Sequence, residues 1–198
     1  MSQIAMAIKS YESTYNHWPV STNAEQSGMS DFTFGTYGTK TTTTVTNGGT
    51  IEANNSELIS IVMDAVAFGD GRPTPNVGHA LNPQRNAWLN AKNVSDIDSP
   101  GVGLDGVYRD PWGNPYIITI DLNRDGNCRD SFYSIEAESP FGNTNPRASG
   151  AEVFQTTYPV SNVPQPRIMV WSFGPDGKAD PNKKPDEGAN KDNVVSWR

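Results

Sequence analysis

The chain has one cysteine, Cys128, so no disulfide can form within it, and only two histidines, His17 and His79. A histidine-rich zinc site or a histidine-based triad has almost no material to draw on. A lone cysteine is compatible with any redox compartment. There is no run of about 18 apolar residues that could cross a membrane as a helix, and no secretory leader pattern. Basic residues number 15 against 22 acidic ones, a net charge of −7. That balance argues against a nucleic-acid partner, which demands a basic face. No cluster of Lys or Arg is present to dock on an anionic bilayer. Charged residues are 19% and apolar ones 35%, beside 18 glycines and 15 prolines. Such a chain is globular and rich in loops rather than disordered. Its 198 residues suit one domain with a sizeable core.

Ile4, Ile8, Tyr11 and Tyr15 recur at helical spacing and predict a helix over 3–17 with one apolar stripe. Ser2 is placed to cap it, and Trp18-Pro19 to stop it. The helical phase runs from the first residues, as in a trimmed chain that keeps the lower half of a longer helix. Residues 20–53 read as loop with short strand pieces, one of them over 39–46. Asn54 or Asn55 caps a second helix, with Glu57 in its first turn. Leu58, Ile59, Val62, Met63 and Val66 form its buried face, and Gly69-Asp70-Gly71 ends it. Residues 70–83 read as irregular. Residues 84–94 suggest a short third helix with Trp88 and Leu89 inward. Beyond Val107 the chain turns to β: a strand over 116–120, a polar turn over 121–127, a returning strand over 132–135, a loop over 138–166, a strand over 167–173 and a last one over 194–197.

Asp110-Pro111-Trp112-Gly113-Asn114-Pro115-Tyr116 is built as a rigid turn. Two prolines fix φ, and Asp110 and Asn114 can bond downstream N–H groups. Trp112 supplies an apolar anchor. A second turn, Trp171-Ser172-Phe173-Gly174-Pro175-Asp176-Gly177, follows near the C-terminus. The first turn with its apolar strand resembles the major pseudopilin of type II secretion systems, a type IV pilin-like family. Ser172 to Gly177 is similar to the opening of that family's C-terminal calcium loop, and Asp192-Asn193-Val194-Val195-Ser196-Trp197 to its close. Tyr11 to Pro19 resembles the exit of the family's N-terminal helix. The likeness covers residues 3–19, 105–135 and 168–198, about half the chain. The departures are the length of 20–105, the 138–166 loop, and a calcium loop that carries Lys178, Lys183, Lys184 and Lys191.

The resemblance implies an α+β, pilin-like fold: a long N-terminal helix on a small antiparallel sheet with a C-terminal calcium-type loop. It forms one domain over 1–198, made of the helix (1–19), an inserted helix and loop region (20–105), and the sheet with the C-terminal loop (106–198). Calcium, the implied ligand, prefers hard oxygens. Asp176 and Asp192 match the family positions, and Asp180 joins them by proximity. Asp186 and Glu187 add further oxygens, although the same residues also make a solvated loop with internal ion pairs.

Asp121 to Asp130 matches the first half of an EF-hand loop, with oxygen ligands at positions one, three and five and Gly126 at six. Position twelve is Phe132, and strands flank the string, so a hairpin turn is the preferred reading. Arg124 and Arg129 beside Cys128 could lower its pKa, but no histidine is near in sequence to make it a nucleophile. His17, at a helix C-terminus, reads as structural. Glu136 and Glu138 share a strand face, a pairing that acidic chains offer by chance.

The expected function is a structural subunit of a type II secretion or pilus-like filament, not an enzyme. Its partners would be other pseudopilin subunits. It would lie on the periplasmic side of the inner membrane or outside the cell, joined to the membrane only through a segment preceding residue 1. The alternative is an extracellular calcium-stabilised binding module, for carbohydrate for instance, using Trp88, Tyr37 and Tyr158.

Overall fold

A computed structural model of the chain describes residues 1–35, 51–126, 128, 130–132, 167–180, 183 and 187–196. Helix α1 spans Ser2–Tyr15, α2 Thr22–Glu25 and α3 Ser56–Val62. The strands are β1 Asp31–Phe34, β2 Gly101–Val102, β3 Tyr108–Arg109, β4 Ile117–Asp121, β5 Ile168–Ser172 and β6 Val194–Val195. Four of them form an antiparallel sheet in the order β1-β4-β5-β6. β2 and β3 pair separately. The fold is α+β, with α1 packed against the sheet and against α3.

Both faces of the sheet are covered. Phe32, Phe34, Ile118, Ile120, Ile168 and Val170 meet Ile4, Ile8 and Tyr11 of α1 and Leu58 and Val62 of α3. On the other face Ile117, Met169 and Trp171 pack with Cys128, Phe132, Phe173 and Ala179. Every residue of β4 and β5 is therefore buried. This explains why their sequences read as near-continuous apolar runs instead of alternating.

The expected strands over 116–120, 167–173 and 194–197 correspond to β4, β5 and β6. β1 is one of the strand pieces expected in 20–53, while 39–46 lies outside the described residues. Gly35 follows β1 at φ +94, where a Cβ would strike the Tyr116 carbonyl at 2.1 Å. Apart from Phe132, the expected return strand also lies outside the described residues. Both edges of β4 are taken by β1 and β5.

Helix boundaries differ from the sequence reading. α1 ends at Tyr15, two residues early, because Asn16 turns left-handed (φ 56) and its N–H closes on the Glu12 carbonyl. Met1, not Ser2, holds the N-cap position, and no side chain caps it. α3 stops at Val62, well before Gly69. Asp64 adopts φ 57, and the Ala65 N–H closes on the Ser60 carbonyl. Val66 is consequently exposed and Met63 half-buried.

No third helix forms over 84–94. The N–H groups of Trp88 and Leu89 both donate to the Val62 carbonyl, at 3.0 and 3.1 Å. The Asn82 side chain bonds the Asn86 backbone in both directions. Those local bonds compete with a helical ladder. A 3₁₀ turn over Val77–His79 interrupts the segment expected to be irregular.

Asn55 occupies the N-cap position of α3, but its carboxamide makes no cap bond. It donates to the Tyr108 and Tyr116 carbonyls (2.9 and 2.8 Å) and accepts the Tyr108 N–H (2.8 Å). Asn54 takes the Ser56 N–H in its place. One buried side chain thus joins α3 to the two strand entries that flank the 110–116 turn.

Candidate functional site

The two turns singled out by the sequence meet. Asp110 is fully buried. Its Oδ1 accepts the N–H groups of Trp112 and Asn114, at 2.9 and 2.8 Å. Its Oδ2 accepts the hydroxyl of Ser172 at the end of β5. Ser172 Oγ in turn accepts the Gly174 N–H at 3.0 Å. Asn114 closes the circuit, donating from Nδ2 to the Gly174 carbonyl at 2.7 Å. Gly174 is required at its place: φ is +69, and a Cβ would lie 2.2 Å from the Asp192 carbonyl. The Asp110 carboxylate and the Ser172 hydroxyl are both engaged within this latch, so it fixes the geometry of the two turns. Trp112 is 44% exposed, contrary to its expected role as an apolar anchor. The prolines and the Asp110 bonds hold the turn without it.

The C-terminal loop brings together two of its three expected ligands. Asp176 donates its N–H to Asp192 Oδ2 at 3.2 Å, and Asp176 Oδ1 takes the Lys178 N–H. Asp180 sits at a different corner, its N–H bonded to Asn190 Oδ1 at 2.7 Å. Buried Asn190 also donates to the carbonyls of Asp180 and Lys183. Sequence reasoning passed over this asparagine, because a buried polar organiser looks like any other loop asparagine. Calcium takes about six to eight oxygens. Among the described residues, no three His, Cys, Asp or Glu side chains are grouped to hold a metal. The chemistry of Asp176 and Asp192 fits a calcium ion as far as two carboxylates go. Asp186 and Trp197 lie outside the described residues.

On the second sheet face runs a buried polar ladder. Thr33 and Thr119, opposite in register, share a hydroxyl–hydroxyl bond of 2.9 Å. Thr119 donates to Asp130 Oδ2 at 2.6 Å, as does Trp171 Nε1 at 2.9 Å, and Asp130 Oδ1 takes the Phe132 N–H. Cys128 lies beside this ladder, 2% exposed. Burial pushes its thiol well above the ordinary range, and the charges of Asp31, Asp130 and Asp121 add to the effect. That corrects the expectation of a lowered pKa and leaves a protonated, inert thiol.

His17 lies beyond the end of α1, its Nδ1 3.0 Å from the Trp18 carbonyl and its ring stacked on Tyr15. His79 Nδ1 pairs with Asp64 at 2.8 Å. Trp88 is edge-on to Tyr11 and Tyr15 and half-buried, so it packs instead of standing free as a platform. Tyr37, Tyr158, Glu136 and Glu138 lie outside the described residues. No described helix is long and apolar enough to cross a membrane. No protein-family model matches the chain, and neither a curated protein nor a solved structure matches it.

Proposed function

We propose that this chain is a pseudopilin-like structural subunit of a type II secretion or type IV pilus-like filament, its folded part on the periplasmic side of the inner membrane. One observation carries the reading: the turns that resemble the pseudopilin motifs are latched to each other through Asp110 and Ser172. The placement of α1 supports it. One stripe of the helix is buried on the sheet, and Met6, 67% exposed, stands on its outer side. That outer side is free to line a bundle of helices from neighbouring subunits. The mutual engagement of Asp110 and Ser172 suits a part whose work is assembly.

Calcium is proposed at the C-terminal loop, held by Asp176 and Asp192. It would stabilise the folded loop by mass action. Chelation should then lower the melting temperature. An unchanged melting curve together with a metal-free elemental analysis removes this ion from the proposal.

The filament itself is tested in cells of the source organism, with cysteine at Met6 or Ser10 on the outer side of α1. Oxidation should give disulfide-linked dimers, the largest product that one introduced thiol per copy allows. Monomer alone, at both positions, overturns the filament reading.

A further inference from the structure

Asp31 and Asp121 stand directly opposite each other in the β1–β4 ladder. Residues opposite in an antiparallel pair leave the sheet on the same face, with Cβ atoms about 5 Å apart. Here that face carries the Thr33–Thr119 bond on the next rung and the Asp130–Trp171 bond beyond it. Asp121 is fully buried. Its Oδ2 is fixed by the Gly126 N–H at 3.0 Å, while its buried Oδ1 meets no hydrogen-bond donor among the described residues. Among the described residues, no lysine, arginine or histidine forms an ion pair with Asp121. Two carboxylates therefore share one rung of the ladder, and one of them is fully buried with an oxygen that no described donor reaches. Such a group carries a desolvation cost that a bound cation would offset.

We propose that Asp121, through Oδ1, and Asp31 opposite it bind a calcium ion at the 121–126 turn. The available donors are hard oxygens. Asn123 and Asp125 stand two and four residues beyond Asp121 on the exposed turn, where they now bond each other at 3.0 Å. A cation would draw the Asp125 oxygen away from that bond, and the Asn123 oxygen away from the Asp125 N–H it accepts at 3.1 Å. Among the described residues, no complete cage of three acidic, histidine or cysteine side chains exists. Carbonyls and water therefore complete the shell. Calcium tolerates such an irregular set, whereas magnesium demands near-octahedral geometry. This site is separate from the C-terminal loop and does not depend on the filament reading.

The test titrates the chelator-treated protein with calcium alone, by calorimetry, and follows melting. Wild type should bind calcium, and at about 100-fold excess over Kd the melting temperature should rise by about 5–10 °C. D121N should lose this ion, while D192N, in the C-terminal loop, should keep it. If D121N does not fold, D125N decides, since that position is exposed: affinity should fall about tenfold or more. The proposal is overturned if wild type binds no calcium, if D121N binds as wild type does, if D192N alone abolishes binding, or if D125N leaves affinity unchanged.

Discussion

Ser172 donates its hydroxyl to Asp110 across 62 residues of sequence, and both side chains are buried. This bond ties the turn between β3 and β4 to the end of β5. Removing Asp110 orphans two backbone N–H groups and a hydroxyl together. Asp110→Ala should therefore cost about 2–4 kcal/mol, and Ser172→Ala about 1–3 kcal/mol. Because the two sites share one network, the double variant should lose less than the sum, with a coupling of about 0.5–3 kcal/mol by urea unfolding. Strict additivity would show that the latch is not a unit.

Asn55 holds three backbone groups of the β3 and β4 entries while sitting at the start of α3. Asn55→Ala removes the side chain and leaves those groups buried without partners. The expected loss is about 2–4 kcal/mol, larger than the roughly 1 kcal/mol of a simple cap. Asn54→Ala, which removes only the bonds to Ser56, should cost less than Asn55→Ala. Equal losses would place the importance of this pair in capping.

Trp171 donates to the buried carboxylate of Asp130. Trp171→Phe keeps most of the apolar volume and removes that donor. About 1–3 kcal/mol should be lost. Thr119→Val, which removes a second side-chain donor to the same oxygen, should behave alike. Near-neutral variants would show that Asp130 is held by its remaining bonds.

Cys128 sets a pH dependence. Its thiol is raised well above the ordinary value of 9.0, so the folded chain keeps a proton that the unfolded chain releases. That stability is fully present below the unfolded pKa and fades as the pH rises toward the folded one. Tyr116, pushed up to about 12 by burial first and then by the charges of Tyr108 and Asp110, adds a loss of the same sign, but only above about pH 10. Between about pH 8.5 and 10 the wild type should lose stability relative to a Cys128→Ala variant. Parallel curves across that window would contradict the buried, protonated thiol. Thiol reagents should likewise label Cys128 slowly until the protein is unfolded.

Local signals carried well where one residue type does one job. The stripe of Ile4, Ile8 and Tyr11 specified α1 and its buried face, and runs such as Ile117–Asp121 specified strands. Boundaries were lost where a single backbone angle ended an element. Asn16 and Asp64 turn left-handed in stretches whose composition still reads as helix. The 84–94 segment was misread because Trp88 and Leu89 give their N–H groups to Val62, a partner more than 20 residues away.

The sequence by itself determined the α+β class, the positions of α1, β4 and β5, and the stiffness of the 110–116 turn. Periodicity, proline and short polar side chains act within a few residues, so their effects are written locally. Only the tertiary structure decided that Asp110 reaches Ser172, that Asn55 joins a helix to two strands, and that Asp121 stands opposite Asp31 with a buried oxygen that no described donor reaches. Those pairings depend on strand register and on which sheet face is covered. Both are set by long-range packing, which no local pattern encodes.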